Sequence, residues 1–196
     1  MKDRIHDLVR RTRSIRRFRQ DRPVDLATLR GLVDLARLSA SGGNRQPLKY
    51  VLSCAPVVNA GIFACLRWAA HLKEWPGPVE GERPAAYIVV LADTAIRQDC
   101  DVDLGIAAQS ILLGAAEIGL AGCMLTPADR AGLDRLLQPP PTMSIRLVIA
   151  LGRPAEQAVI EELPPGGDTR YWRDAEGVHH VPKRSLEEIT VAAYGP

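Results

Sequence analysis

A short basic segment near the amino terminus has the residue types that bind a phosphate group. Arg13, Ser14 and Arg16 place two guanidinium groups and one hydroxyl close together, and these are the donors that a phosphate monoester requires. At the far end of the chain, Lys183 or Arg184 could complete the same cluster. A solvated basic face is the alternative, because charged side chains are mostly exposed. The pattern therefore indicates either a compact anion site or an ordinary charged surface.

A polar loop further along the chain carries two carboxamides at close spacing. In the segment 41–47, Asn44 and Gln46 flank one arginine and follow Ser41 and Gly42. Amide donors and acceptors can bind the polar edge of a flat heterocycle, and the glycines allow the backbone to approach its face. Asn and Gln side chains also commonly satisfy the hydrogen bonds of their own loop, so this alternative stays open.

The sequence lacks the common signatures of catalysis by side chains alone. G-x-S-x-G, P-loop, H-E-x-x-H and post-strand G-x-G-x-x-G motifs are absent, which disfavours hydrolase, kinase, zinc and Rossmann chemistry. Asp101 and Asp103 open a predicted helix, where carboxylates are expected to stabilise the positive end of the dipole. His179 and His180 are neighbours in a predicted strand and point to opposite faces, so we expect no metal site. An enzyme of this sequence would take its reactive atom from a cofactor.

Local patterns predict alternating helices and strands that position these groups. Asp25 is a predicted helix N-cap, and its helix should end near Ser39, just before the polar loop. The apolar run Ala86–Leu91 predicts a central strand that is buried on both faces. The predicted helix Asp101–Gly119 is rich in small residues, which suits a central position or a subunit interface. The other predicted elements are a short first helix around Ile5, Leu8 and Val9, a strand Tyr50–Cys54, a helix from Pro56 with a buried stripe to Ala69, a strand Cys123–Thr126, a helix Ala128–Leu137, a strand Ile145–Leu151 and a hairpin that pairs 171–174 with 178–181.

Composition and charge describe a globular chain with one uneven feature. Of 196 residues, 46% are hydrophobic and 24% charged, which suits a single domain over 1–196 and excludes disordered and collagen-like classes. Residues 1–22 contain nine Lys/Arg against three Asp, although the net charge of the chain is only +2. Neither a signal core nor a membrane-spanning run follows these charges, so a cytoplasmic protein is expected. A nucleic-acid arm is an alternative, disfavoured by an acidic remainder with few aromatics for base stacking.

Taken in order, these segments resemble the FMN-dependent nitroreductase family. Residues 13–18, RSIRRF, look like its R-S-x-R-x-F segment, and residues 41–47, SGGNRQP, look like its S-x-x-N-x-Q-P loop. The remaining matches are a D-x-G-x-A-x-Q helix at 103–109, a G-L-x-x strand at 119–123, an L-G-x-P-x-E segment at 151–156 and a P-K-R segment at 182–187.

The resemblance implies an α+β fold, in which a nitroreductase-like sheet is flanked by helices, built as an intertwined homodimer with two FMN sites at the subunit interface. The implied cofactor-binding residues are Arg13, Ser14 and Arg16 at the phosphate and pyrimidine side, Lys183 or Arg184 at the phosphate, Ser41, Gly42, Asn44 and Gln46 from the partner subunit, and Cys123, Met124 and Leu125 beside the flavin ring. Neither nucleic acid nor a membrane is an expected partner.

The resemblance also implies a flavin oxidoreductase that works by ping-pong transfer. NADH or NADPH is the electron donor, flavin N5 is the reactive centre, and a small molecule such as a nitroaromatic or a quinone is the acceptor. No catalytic side chain is then needed, but a fixed cation at Arg16 would stabilise the reduced, anionic flavin. An oxidase or dehalogenase of the same fold, and a non-catalytic flavin-binding protein, are the alternatives.

Two positions depart from the family pattern. Leu48 and Met124 stand where aromatic residues are common, so acceptor preference does not carry over from the family. Trp75 and Trp172 are candidates to line the substrate opening in their place.

Overall fold

A four-stranded antiparallel sheet forms the centre of the protein, in a computed structural model that describes residues 4–72 and 74–195. The strand Ala86–Asp93 lies between two other strands, and each of its residues except Asp93 is buried. This burial confirms the central strand that the apolar run predicts. The strands are β1 (Leu48–Ser53), β2 (Ala86–Asp93), β3 (Ala121–Leu125) and β4 (Met143–Gly152), in the spatial order β1-β2-β4-β3.

Helices cover both faces of this sheet. α2 (Leu26–Leu38) and α4 (Asp101–Glu117) pack on one face, whereas α3 (Pro56–Ala64) and α5 (Arg130–Leu137) pack on the other. Each face therefore has its own apolar core, and the arrangement confirms the predicted α+β class. Asp25 caps α2 as predicted: its carboxylate accepts a hydrogen bond from the N–H of Thr28 at 2.7 Å.

Small residues on α4 allow close packing against α2. A Cβ atom at Gly114 would lie 2.3 Å from Cδ1 of Leu35 and 3.1 Å from Cδ2 of Leu32, so a larger residue there would require these leucine side chains to shift. The predicted central position of the long helix is therefore confirmed. Within the described residues, no helix combines the length and the apolar character that crossing a bilayer requires.

The helix α3 ends well before the predicted limit at Ala69. Cys65 caps it through an N–H bond to the carbonyl of Ile62, and Leu66 then forms an isolated bridge with Pro127. Ala69 has a φ of 47°, in the left-handed region that a right-handed helix excludes. Cys65, Leu66 and Ala69 are nevertheless buried, so the apolar stripe marks core residues although it does not mark a helix.

A second, smaller sheet follows β4 along the chain. β7 (His179–Lys183) is its central strand, with β6 (Trp172–Arg173) antiparallel on one side and β5 (Ala158–Glu162) parallel on the other. The β6–β7 pair is the predicted hairpin. β5 has no counterpart in the sequence prediction, because it is half-exposed and a parallel pairing has no adjacent turn to mark it.

The segment after α1 (Arg4–Arg11) runs along the outer edge of β3. The N–H of Ile15 donates to the carbonyl of Gly122 at 3.1 Å, and Ser14 forms a parallel bridge with the same glycine. This contact covers only the start of β3, and no described strand pairs with the rest of that edge. The basic segment is thereby fixed against the main sheet. Near the other terminus, the short helix α6 (Leu186–Ile189) follows β7.

The junction at Gly122 leads to a first prediction about stability. A Cβ atom there would lie 2.3 Å from the backbone oxygen of Ala150, which cannot move without distorting β4. We therefore expect Gly122→Ala to lower the free energy of unfolding by about 1–3 kcal/mol, measured by urea denaturation. Gly31→Ala is the matched control, because a methyl group at this position of α2 would have nothing within 4 Å and alanine favours a helix. Equal stabilities of the two variants would contradict the prediction.

Candidate functional site

A cavity of about 330 Å³ lies between the amino-terminal segment, α4, β3 and β7, and we call it the basic cavity. Arg13, Arg16 and Lys183 line it, so the structure brings together cations from both ends of the chain, as the sequence suggests. No carboxylate is among the described residues that line it. The full lining consists of Thr12, Arg13, Ser14, Arg16, Gln109, Leu112, Met124, Tyr171, His179, Val181 and Lys183.

Arg16 is the central cation of the basic cavity and is only 9% exposed. Its Nη1 lies 3.2 Å from Nε2 of His179, and its guanidinium lies 4.8 Å from the ring centre of Tyr171. Among residues 4–72 and 74–195, its buried Nε has no hydrogen-bond partner and no carboxylate forms an ion pair with the guanidinium. A buried charge without a counter-charge is costly unless a ligand supplies one. The basic cavity therefore has the electrostatics of an anion site.

Glu156 holds the backbone on which Arg16 stands. One carboxylate oxygen accepts the N–H groups of Arg16 at 2.5 Å and Arg17 at 3.2 Å. The other oxygen accepts a hydrogen bond from Nη2 of Arg173 at 2.6 Å. The Glu156 side chain is only 2% exposed. The charge of Glu156 is thus matched by Arg173 and does not neutralise the Arg16 guanidinium. Sequence reasoning found Glu156 only as part of a motif, because its partner Arg16 is 140 positions away.

Two adjacent histidines of β7 face opposite sides of the strand, as strand alternation predicts. Burial and the charge of Arg16 lower the pKa of His179 to about 4, and this residue is 1% exposed. His180 lies on the other side, with its ring nitrogens 3.0 Å from Asp174 and 2.5 Å from Glu161. Hydrogen bonds to Asp174 and then Glu161 raise the pKa of His180. The first imidazole is therefore kept neutral, whereas the charged form of the second is favoured.

These opposite pKa shifts predict opposite effects of pH on stability. Since the pKa of His179 is about 4 when folded and 6.5 when unfolded, its contribution is present above pH 6.5 and is lost as the pH falls to about 4. The contribution of His180 is present below pH 6.5 and is lost as the pH rises through its raised pKa. Urea unfolding can be measured at pH values from 4 to above 6.5. In His179→Gln the free energy of unfolding should fall less as the pH drops from 6.5 to 4, and in His180→Gln it should fall less as the pH rises above 6.5. Identical pH profiles for the two variants would refute the assignment.

The polar loop is anchored by Asp103 in the first turn of α4. The Ser41 hydroxyl donates to one oxygen of Asp103 at 2.5 Å, and the Gly42 N–H donates to the other at 3.1 Å. The bond from Ser41 is the main cause of a lowered pKa of the Asp103 carboxyl, which is buried. Asp101 instead is exposed and pairs with Arg146 at 2.6 Å. The predicted interaction with the helix dipole therefore does not account for the main contacts of Asp103, which are hydrogen bonds from the polar loop.

The two carboxamides lie exposed in this loop and bond to each other. Nε2 of Gln46 donates to Oδ1 of Asn44 at 3.1 Å. Both residues have a left-handed backbone, with φ of 51° for Gln46 and 54° for Asn44. Within one chain the amides thus show the internal hydrogen bonding that the sequence leaves open, and both side chains are accessible to a further molecule.

The anchoring of the loop predicts a measurable cost for removing the Asp103 charge. Asp103→Asn replaces one carboxylate oxygen by an NH₂ group that cannot accept a hydrogen bond. We expect a loss of about 1.5–3 kcal/mol in the free energy of unfolding, together with faster amide exchange over residues 41–46. Asp101→Asn is the control, because its exposed ion pair contributes little. Unchanged exchange in Asp103→Asn would show that another group holds the loop.

A single chain does not bring the polar loop to the basic cavity. Ser41 and Gln46 line a different cavity of about 380 Å³, together with Leu48, Tyr50 and Asp103. Among the described residues, none lines both cavities. The two groups of residues that the resemblance assigns to one ligand therefore line separate cavities within one chain.

The predicted flavin-side strand presents one side chain to the basic cavity. Met124 is 40% exposed and lines the cavity, whereas Cys123 and Leu125 alternate into the core and are 1% and 6% exposed. Burial raises the pKa of the Cys123 thiol to about 12. Any contact that Cys123 or Leu125 makes with a ligand at this edge must therefore come from the backbone.

The two basic residues at the end of β7 have different surroundings. Lys183 lines the basic cavity, whereas Arg184 lies outside it and pairs with Glu188 of α6. The structure thus separates two residues that the sequence leaves as alternatives, and it puts Lys183 beside the other cations.

Tyr171 is the aromatic residue of the basic cavity. The two tryptophans suggested by the sequence lie elsewhere: Trp75 packs under the guanidinium of Arg173 at 4.7 Å, and Trp172 stacks on His180 at 4.0 Å. Tyr171, Gln109 and His179 are not among the cofactor-binding residues that the sequence predicts. Gln109 alone has a sequence signal, since it closes the D-x-G-x-A-x-Q motif.

Comparisons with known proteins agree with this architecture. A model of the nitroreductase family matches residues 9–153. The chain is 25% identical over 177 residues to an iodotyrosine deiodinase from Haliscomenobacter hydrossis, covering 77% of this chain and 79% of that protein.

Solved structures of low sequence identity share the fold. A putative NADH dehydrogenase/NAD(P)H nitroreductase from Parabacteroides distasonis has a TM-score of 0.65 at 22% identity, covering 79% of this chain and 89% of the other. An FMN-dependent nitroreductase from Clostridium difficile has a TM-score of 0.60 at 23% identity, covering 76% and 87%. An NADPH:FMN oxidoreductase from Vibrio harveyi has a TM-score of 0.61 at 21% identity, covering 78% and 70%. With the family model matched over most of its length, the chain belongs to the nitroreductase family.

Proposed function

We propose that this protein is an FMN-dependent oxidoreductase that uses NADH or NADPH to reduce a small acceptor such as a nitroaromatic or a quinone. The observation that carries the proposal is the Arg16 guanidinium, which is buried in the basic cavity without a carboxylate partner among the described residues. Its Nε has no hydrogen-bond partner among the described residues, so these residues leave both its charge and a donor unsatisfied. An anionic cofactor would supply both a counter-charge and a hydrogen-bond acceptor.

The residues of the basic cavity fit the two chemical ends of FMN. Arg13, Ser14 and Lys183 would hold the phosphate with charged donors and a hydroxyl. Arg16 would lie at the pyrimidine side, where a cation stabilises the negative charge of the reduced cofactor. When bound, FMN supplies N5 as the atom that accepts and donates hydride. The protein then needs to bind, orient and shield the reactants, and it needs no side-chain base.

The site is proposed to be completed by a second subunit in a homodimer. Ser41, Gly42, Asn44 and Gln46 would reach the cofactor from the partner, since within one chain the polar loop lines a separate cavity. A homodimer would also cover part of the apolar surface that the described residues expose. The most exposed of these large apolar side chains are Ile5, Val57, Val102, Leu186, Val191 and Tyr194.

Anaerobic titration of the purified protein tests this function. We expect a yellow protein whose flavin spectrum bleaches with NADH or NADPH and recovers when a nitroaromatic or a quinone is added. A protein that does not bind FMN would refute the proposal. Bound FMN that neither nucleotide reduces would instead favour a non-catalytic flavin-binding protein.

Reductive dehalogenation is the second candidate, favoured by the similarity to the iodotyrosine deiodinase. The same reduced protein can be mixed anaerobically with iodotyrosine. Flavin reoxidation with stoichiometric release of iodide would support dehalogenation, whereas reoxidation by nitroaromatics or quinones alone would support the first candidate.

A further inference from the structure

His179 makes a direct contact with the buried cation of the basic cavity. Its Nε2 lies 3.2 Å from Nη1 of Arg16, and the residue is 1% exposed. A guanidinium has only donors, so Nε2 must be the acceptor and the ring proton must reside on Nδ1. Nδ1 is buried and has no hydrogen-bond partner in the part of the chain that the structure describes. The imidazole therefore adopts the tautomer that serves Arg16, at the expense of leaving its own donor unsatisfied.

The charges around His179 explain why a neutral acceptor is useful here. Arg16, Arg173 and His180 are the positive or protonatable groups that act on it, and Glu156 is the negative one. Tyr171 packs against the ring, with centroids 5.1 Å apart. Glu156 is already committed to backbone N–H groups and to Arg173. A carboxylate at position 179 would neutralise Arg16, whereas an imidazole can orient the guanidinium and leave its charge intact.

We propose that His179 is a positioning residue that orients the Arg16 guanidinium toward bound FMN without neutralising its charge. This inference rests on the FMN binding proposed above and adds a role for a residue that does not itself need to touch the flavin. In this arrangement the direction of the guanidinium is set by His179 and by the ring of Tyr171, while the backbone of Arg16 is held by Glu156.

Substitutions at the two adjacent histidines test the role in the loaded protein. His179→Leu removes the acceptor, and we expect the FMN dissociation constant to rise about tenfold and the flavin potential to become more negative. His179→Gln presents a neutral amide oxygen near the former Nε2, so it should restore much of both properties. His180→Gln is the matched control, because the same substitution one residue away lies on the opposite face of β7 and should leave both values unchanged. A His179→Leu protein with the FMN affinity and potential of the wild type would overturn the proposal.

A measurement on the cofactor-free protein separates this inference from the proposed function. In ¹⁵N NMR spectra of labelled histidine near neutral pH, His179 should show a protonated Nδ1 and an unprotonated Nε2. A protonated Nε2 would overturn the role of His179 whatever the cofactor. If the wild-type protein fails to bind FMN, the proposed function fails and this inference fails with it. If the wild type binds FMN and only the expected change in His179→Leu is absent, the proposed function stands and the inference alone is wrong.

Discussion

Replacement of Glu156 by alanine is expected to lower the free energy of unfolding by about 3–5 kcal/mol, because it leaves a buried cation without its partner. The guanidinium of Arg173 loses its ion pair of 2.6 Å at a position where its side chain is 11% exposed. The N–H groups of Arg16 and Arg17 lose their acceptor in the same step. Chemical unfolding at neutral pH measures the loss.

Three further variants show whether the ion pair is the cause: Glu162→Ala, Arg173→Met alone, and Glu156→Ala combined with Arg173→Met. Glu162→Ala removes an exposed glutamate from β5 and should change the free energy of unfolding by no more than about 0.5 kcal/mol. Glu156→Ala combined with Arg173→Met should recover part of the loss, since it removes the buried cation together with the anion. A double variant whose loss equals the sum of the single losses would show that the two residues do not interact.

Replacement of Arg16 by alanine is expected to lower the flavin reduction potential and to weaken FMN binding by about ten- to a hundredfold. The substitution removes a charged donor worth about 1.5–3 kcal/mol from the side of the cofactor that becomes negative on reduction. Potential is the sharper readout, because a merely structural defect would weaken binding of both redox states alike. Dye-linked anaerobic titration measures it on the protein that retains FMN.

Two further variants separate the effect of the position of the positive charge from the effect of losing a positive charge anywhere in the segment. Arg19→Ala removes one positive charge from an exposed residue of the same segment and should leave the potential unchanged. Arg16→Lys keeps the charge but loses the planar fork, so its potential should lie between those of Arg16→Ala and the wild type. An unchanged potential in Arg16→Ala would remove Arg16 from this role.

The parts of the fold that sequence alone predicts are those with a strong local signal. The continuous apolar run of β2, the Asp25 cap and the small-residue helix α4 each depend on neighbouring residues, and all three are confirmed. β5 escapes prediction because its pairing with β7 links distant residues. α3 ends early because Cys65 caps it and Leu66 then forms a bridge with the distant Pro127, which no local pattern signals. The left-handed φ of Ala69, further along the predicted stripe, is likewise not signalled by an alanine.

The residues of the site likewise divide into those with a local sequence signal and those that act through contacts with residues distant in the sequence. Arg13, Ser14 and Arg16 are found from their own spacing, but the contacts that orient Arg16 come from Glu156 and His179, at separations of 140 and 163 positions. No local pattern marks such pairs. The polar loop is likewise visible in the sequence, and Asp103 is found there as the first residue of the 103–109 motif, but its contacts with Ser41 and Gly42 span 62 and 61 positions and have no local signal.

The basic amino terminus also separates into distinct parts. Arg13 and Arg16 line the basic cavity, whereas Arg17 pairs with Glu82 at 3.3 Å and Arg22 lies 3.7 Å from Asp21. Most of the local excess of positive charge therefore has a structural partner or faces solvent, and only a small share of it is directed at a ligand.

The partly uncovered edge of β3 bears on how the protein behaves when produced without the FMN that we propose it binds. An unpaired strand edge is a template on which another chain can add a strand, and natural proteins usually protect it. Only the start of β3 is protected here, by the contact of Ile15 with Gly122. A flavin that lies along the remaining edge would shield its backbone groups, so cofactor loading would also guard this protein against aggregation.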